Sequence, residues 1–215
     1  MDDKTIIFDL DGTLTDSAEG IINSVRLVMN HFAIPVPDMD ILRTFVGPPL
    51  HNMFVKYGVP EDRVEEAIQV FRSRYLAIGK FENKPYPGIP KMLQKLKDLG
   101  YTLFVATSKP EPQAIEILEH FDLAKYFDQI CGASLDSSRV DKEDVLRYLL
   151  HNTPEGDSVM IGDTVYDVIG ANALNMPTIG VSWGYGSVED MQNAGATEIA
   201  NSVEQLLQIL TSTRS

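Results

Sequence analysis

Two carboxylates, Asp9 and Asp11, stand two residues apart in Phe8-Asp9-Leu10-Asp11-Gly12-Thr13, directly after the apolar run Thr5-Ile6-Ile7. In a strand, alternate side chains share a face, so both carboxylates can converge on one small volume. Such a pair is costly unless a cation, a proton or a phosphoryl group settles its charge. Three further segments carry matching chemistry: Thr107-Ser108-Lys109-Pro110, Asp141-Lys142, and Gly162-Asp163-Thr164-Val165-Tyr166-Asp167. Acids, small hydroxyls and a lysine are what phosphoryl transfer through an aspartyl intermediate needs. A carboxylate attacks phosphorus, magnesium neutralises charge, and hydroxyls, backbone amides and an ammonium hold the phosphoryl oxygens. Magnesium takes hard oxygen ligands, which Asp9, the backbone carbonyl of Asp11 and Asp163 can supply.

The elements that must position these residues are read from short apolar runs alternating with helix-patterned segments. Strands are predicted at 5–8, 101–106, 127–131, 158–161 and 178–181, with a weaker one at 198–200. Helices are predicted at 89–99, 112–121, 142–150, 165–174 and through 203–210. This alternation predicts an α/β fold, a doubly wound parallel sheet with helices on both faces. Ligands bind beyond the carboxyl ends of such strands, where the four segments fall. From about Ala18 to Lys84 the rhythm stops. Helical patterns there, separated by Pro35, Pro37, Pro48, Pro49 and Pro60, predict an inserted helical domain. The expected division is 1–17 with 85–215 for the sheet domain, and 18–84 for the insertion.

Composition narrows the function classes. Lys and Arg total 18 against 31 Asp and Glu, a formal net charge of −13. That argues against nucleic-acid binding, which needs a basic face. A small anionic substrate remains compatible, because a pocket can be locally positive on an acidic protein. The single cysteine, Cys131, excludes an intramolecular disulfide and a cysteine-built zinc site. It sits in an apolar stretch and reads as a buried structural thiol. No segment has the length of a membrane span, and a reducing cytoplasm is the expected location.

Taken singly, each motif has a plain structural reading. Asp163 fits a helix N-cap, Thr107-Ser108 could cap the helix after Pro110, and Lys142 alone is an ordinary exposed lysine. The four histidines show no ligand spacing. Trp183, in Trp183-Gly184-Tyr185-Gly186 after the last strong strand, fits either loop packing or the rim of a site.

In order and at this spacing, the motifs resemble the haloacid dehalogenase superfamily of phosphohydrolases, most of all its phosphoglycolate-phosphatase branch. The likeness covers essentially the whole chain: Asp9 through Ser17 as first motif, Val105 through Pro110 as second, Lys142 as third, Gly162 through Asp167 as fourth. The resemblance implies a Rossmann-like core with a small helical cap, magnesium as cofactor, and a small phosphate ester as substrate. It makes Asp9 the nucleophile and Asp11 the general acid/base. Thr107 and Lys142 would bind the phosphoryl group, with Gly12, Thr13, Ser108 and Lys109 around it. The metal set would be Asp9, Asp11, Asp163 and Asp167, with Asp167 acting directly, through water, or by orienting Lys142. In the cap, Arg43 could meet a substrate carboxylate or second phosphate.

Two departures stand out. No proline follows Lys142, which leaves Lys109 as a competing phosphate-binding lysine. One acid instead of a pair follows Gly162, which gives Asp167 more weight at the metal. Candidate substrates are phosphoglycolate, nucleoside monophosphates and sugar phosphates, and the protein could be a monomer or homodimer. A sugar phosphomutase is the alternative, since Thr15-Asp16-Ser17-Ala18-Glu19 is similar to the hinge of those enzymes. Gly20-Ile21-Ile22, however, follows where mutases carry a histidine and polar contacts. A dehalogenase is disfavoured because that chemistry dispenses with the acid at position 11. Phosphonate cleavage would need a cap lysine in a suitable setting, which none of Lys56, Lys80 and Lys84 has. A non-catalytic phosphate-binding receiver would be shorter and lack the insertion.

Overall fold

The computed structural model describes residues 5–136, 138–151 and 157–212. They fall into two compact units: residues up to Thr15 with those from Pro85 onward, and Asp16–Lys84.

The first unit is built on a six-stranded parallel sheet. Its strands are β1 (Thr5–Phe8), β4 (Thr102–Pro110), β5 (Gln129–Ala133), β6 (Ser158–Gly162), β7 (Thr178–Val181) and β8 (Glu198–Ala200). Two-residue strands β2 (Thr15–Asp16) and β3 (Lys84–Pro85) pair where the chain leaves this unit and returns. The order β5-β4-β1-β6-β7-β8 puts β1 between β4 and β6, with the chain building outward first on one side and then on the other. Such a reversal opens a crevice at the carboxyl end of the central strand. All four residues of β1 are buried, as expected for a strand covered on both faces. Ile6 and Phe8 join a core with Leu93 and Leu96 of α5 (Ile89–Asp98), Ile117 of α6 (Glu111–His120) and Leu206 of α10 (Val203–Ser212). Ile7 belongs to a second core with Val145, Leu146 and Leu149 of α7 (Lys142–His151) and Ala171 of α8 (Val165–Asn172). A short helix α9 (Val188–Asn193) precedes β8.

The periodic segments took their expected forms, with boundaries moved by local chemistry. α5 buries Ile89, Met92, Leu93 and Leu96, the i, i+3, i+4, i+7 stripe of an amphipathic helix. The strand expected at 127–131 begins at Gln129. A 3₁₀ turn ends at Tyr126, and the Asp128 carboxylate is engaged by the Leu103 amide at 3.0 Å and by Lys97. β4 runs on past Ala106 to Pro110, with a register irregularity against β5 between those residues. Irregularities of this kind bend a strand and re-aim its side chains, and here they fall on Thr107-Ser108-Lys109.

The second unit contains α1 (Ala18–His31), α2 (Met39–Arg43), α3 (Leu50–Lys56) and α4 (Val64–Ala77). α1 buries Ile21, Ile22, Val25, Val28 and Met29, and α4 buries Val64, Ala67, Phe71 and Tyr75. Phe45, Phe54, Phe71 and Tyr75 form a chain of aromatic contacts. A bidentate Arg74–Glu82 pair, both bonds 2.7 Å, ties the end of α4 to the segment after it. Gly20 of α1 packs on the backbone of Gly79, where an added Cβ would overlap the Gly79 carbonyl.

That contact sets two effects in opposition. Alanine is favoured over glycine in a helix by about 1 kcal/mol, while overpacking costs about 1–3 kcal/mol. Gly20→Ala is therefore expected to destabilise the protein by up to about 2 kcal/mol net. Urea denaturation checks this, and a gain in stability would show that α1 and Gly79 can separate freely.

Candidate active site

The carboxyl ends of four strands build the site. β1 delivers Asp9, held by its amide donating to the Ile161 carbonyl of β6 at 2.9 Å. The turn that follows needs Gly12 at φ +85°, a left-handed conformation that favours glycine. The Gly12 amide donates to the Thr15 carbonyl at 2.8 Å, so in this structure it serves the turn. Thr107 is buried on β4, with Ser108 exposed beside it, and the Lys109 amide donates to Thr107 Oγ1 at 3.3 Å. Lys142 is the first residue of α7, after β5. Asp163 follows β6, and Asp167 lies in the first turn of α8.

Lys142 is the centre of this arrangement. Its Nζ donates to Asp9 Oδ1 at 2.7 Å and to the Ala106 carbonyl at 2.8 Å, and lies 2.8 Å from Asp167 Oδ1. One oxygen from each of Asp9, Asp163 and Asp167 lies within 4.8 Å of the others. Two unit charges at that separation repel by roughly 3–4 kcal/mol at an effective dielectric of about 20. Three buried carboxylates against one ammonium leave the cluster short of positive charge. Burial accordingly pushes Asp9 up to about 6; the Lys142 charge opposes this shift and Asp167 adds to it. Burial raises Asp163 well above the usual carboxylate range, with Asp167 and Asp9 reinforcing it. Burial works against the Lys142 charge, but Asp167 and Asp9 outweigh it and hold the ammonium firmly protonated.

These features fit a hard divalent cation. The donors are all oxygens, the cluster carries excess negative charge, and Asp11 Oδ1 is buried without a hydrogen-bond partner. Asp11 itself is not in the three-acid group. Its Oδ2 pairs with Lys109 Nζ at 2.8 Å, so the two competing lysines take different partners. Asp163 is not the cap of α8: Thr164 holds that position, and Asp167 Oδ2 accepts from its amide at 3.0 Å. The oxygens of Asp163 instead accept from Thr13 Oγ1 at 3.1 Å and from the Tyr185 amide at 2.8 Å. Asp167 thus joins the start of α8 to Lys142. Arg43 is exposed at the end of α2, in the helical unit.

Some contributors carried little sequence signal. Arg139 donates to the Gly132 carbonyl and to Glu111, both at 2.7 Å, and its guanidinium lies 3.9 Å from the centre of the Tyr148 ring. This brace ties the loop leading to Lys142 to the start of α6. Only Glu111, directly after Pro110, was adjacent to a motif. Cys131 is buried, and burial pushes its thiol up to about 11, in keeping with a structural role. Among the described residues no helix is long and apolar enough to cross a membrane.

A family model described as haloacid dehalogenase-like hydrolase matches residues 6–181. The chain is similar to a 5'-nucleotidase of Pseudomonas aeruginosa, 41% identical over 212 residues, covering 96% of this chain and 95% of that one. It is also similar to the tyrosine-protein kinase PtkA of Mycobacterium tuberculosis, 43% identical over 96% of this chain and 72% of the longer relative. The crystal structure of a predicted phosphatase from Clostridium acetobutylicum superposes with a TM-score of 0.91 at 48% identity, covering 99% and 100% of the two chains. The chain belongs to the haloacid dehalogenase-like hydrolase family. Within it the chain stands among the phosphatases, enzymes that hydrolyse phosphoric monoesters.

The raised carboxylates fix the sign of a pH effect. A carboxyl whose folded pKa lies above its unfolded value keeps a proton that the unfolded chain releases. Its contribution to stability therefore falls as pH rises, for Asp9 between about 4 and about 6. Removing Lys142 takes away the ammonium that Asp9 and Asp167 contact, and breaking a buried pair costs about 3–5 kcal/mol. Lys142→Met in metal-free buffer is expected to lose about that much at pH 7.5 and clearly less at pH 5. Urea unfolding at the two pH values measures the difference.

Proposed function

We propose that this enzyme is a magnesium-dependent phosphatase of small phosphate monoesters, working through an aspartyl phosphate on Asp9. The observation that carries the reading is the buried Asp9–Lys142–Asp167 array beside Asp163, with Asp11 held separately by Lys109. Asp9 attacks phosphorus, and the bond from phosphorus to the ester oxygen breaks. Asp11 hands its proton to that departing oxygen. Asp11 then takes a proton from water as the water attacks phosphorus, releasing phosphate and regenerating Asp9. Lys142 and Thr107 hold the phosphoryl oxygens, and Asp167 keeps Lys142 oriented. Asp9, Asp163 and the Asp11 carbonyl would hold magnesium, which would supply the positive charge that lets a carboxylate approach a phosphate.

The helical unit is read as the cap that selects the leaving group, with Arg43 as a contact for a second anionic group. A nucleoside monophosphate leads the substrate candidates, supported by the likeness to a 5'-nucleotidase; phosphoglycolate and sugar phosphates follow. The same intermediate could pass its phosphoryl group to a hydroxyl instead of water, as the phosphomutase alternative requires.

Phosphate release across a panel of these esters, with and without chelator, tests the reading. Wild type is expected to turn over only with magnesium, and Asp9→Asn to be inactive. Asp11→Asn is expected to lose about 10²–10⁴-fold in kcat, the usual worth of a general acid/base. Turnover surviving in Asp9→Asn would remove the nucleophile, and isomerisation of a hexose phosphate without phosphate release would favour the mutase.

A further inference from the structure

The loop after β7, Trp183-Gly184-Tyr185-Gly186, has no part in the reaction derived above, yet it closes on Asp163 from two directions. The Tyr185 amide donates to Asp163 Oδ2 at 2.8 Å. Gly184 lies so near that an added Cβ would overlap the Asp163 side chain. From the other side, Thr13 Oγ1 donates to Asp163 Oδ1 at 3.1 Å. Trp183 Nε1 donates to the backbone carbonyl of that same Thr13 at 3.2 Å. The indole is held in turn by an edge-on contact with Tyr86, ring centroids 6.4 Å apart.

Asp163 needs such holding. It is completely buried and shares a small volume with two other carboxylates, whose repulsion favours any rotation away from them. One donor on each oxygen fixes the plane of the carboxylate and the direction of its remaining lone pairs. A ligand fixed in this way binds a cation without first losing rotamer freedom, and partners of metal ligands affect affinity strongly for that reason.

We propose that the Trp183–Gly186 loop is a positioning clamp for Asp163, tuning cation affinity, and that Trp183 reports occupancy of the cation site. The inference rests on the reading that a divalent cation binds between Asp9 and Asp163. Because Trp183 is the only tryptophan of the chain, its emission monitors one place. A cation drawing on Asp163 shifts Thr13 and with it the acceptor of the indole N–H.

The test is a titration of chelator-stripped protein with magnesium alone, followed by calorimetry and by Trp183 emission. Wild type is expected to bind with a saturable emission change that tracks the heat. Gly184→Ala and Thr13→Val are each expected to weaken magnesium binding about 10–100-fold, while Thr13→Ser, which keeps the hydroxyl, restores it. Circular dichroism of the metal-free proteins separates loss of the clamp from loss of the fold. Should Gly184→Ala fail to fold, the Thr13 pair decides. Wild-type affinity in Thr13→Val or in folded Gly184→Ala overturns the clamp while leaving the cation reading intact. Calorimetric binding with no change in emission overturns the reporter role. No magnesium binding by wild type overturns the cation reading itself, and the clamp with it.

Discussion

A buried ammonium between buried carboxylates is the constraint on which the rest of this structure depends. Lys142 Nζ meets Asp9, Asp167 and the Ala106 carbonyl at 2.7–2.8 Å. It thereby links the exits of β1, β4 and β5 to the first turn of α8. Removing these charges from water costs several kcal/mol per ion, and only close, well-directed contacts offset it. The site therefore tolerates little displacement of any of the four elements. Lysine is also a poor choice for the first position of a helix, where the dipole favours negative charge. Its presence at the start of α7 makes sense only through the acids it faces.

The sheet makes such contacts possible. In a parallel sheet all carboxyl ends lie on one edge, and the central position of β1 puts Asp9 beside both β4 and β6. Neighbouring strands are less than 5 Å apart, so groups leaving adjacent strands fall within reach of one another. The irregularity in β4 after Ala106 frees Thr107-Ser108-Lys109 from strict pairing. Lys109 then reaches Asp11 while Thr107 stays buried. The two acids of the first motif thus receive separate lysines.

Much of this is legible in the sequence. Strand–helix alternation, the break in rhythm after residue 18, and chemistry clustered after apolar runs all come from local patterns. Hydrophobic burial enforces such patterns residue by residue. The reading blurred where long-range contacts decide. β5 starts two residues late because the Asp128 carboxylate is engaged by Leu103 and Lys97. Taken singly, Asp163 also fits a helix cap, but its oxygens accept from Thr13 and Tyr185, and Thr164 caps α8. Trp183 stood in an undistinguished Gly-rich loop, and nothing local announces that its indole meets Thr13, 170 positions away in the chain.

By itself, then, the sequence determined the parallel α/β plan, the helical insertion and the residue types at each strand end. These follow from periodicity and from the chemistry of single side chains. Only the tertiary structure decided which lysine faces which aspartate, how Asp167 is shared between a helix start and an ammonium, and what grips Asp163. Those outcomes depend on distances of about 3 Å between residues as many as 150 positions apart. Coulomb and hydrogen-bond energies change steeply at that range, and sequence spacing carries no information about it.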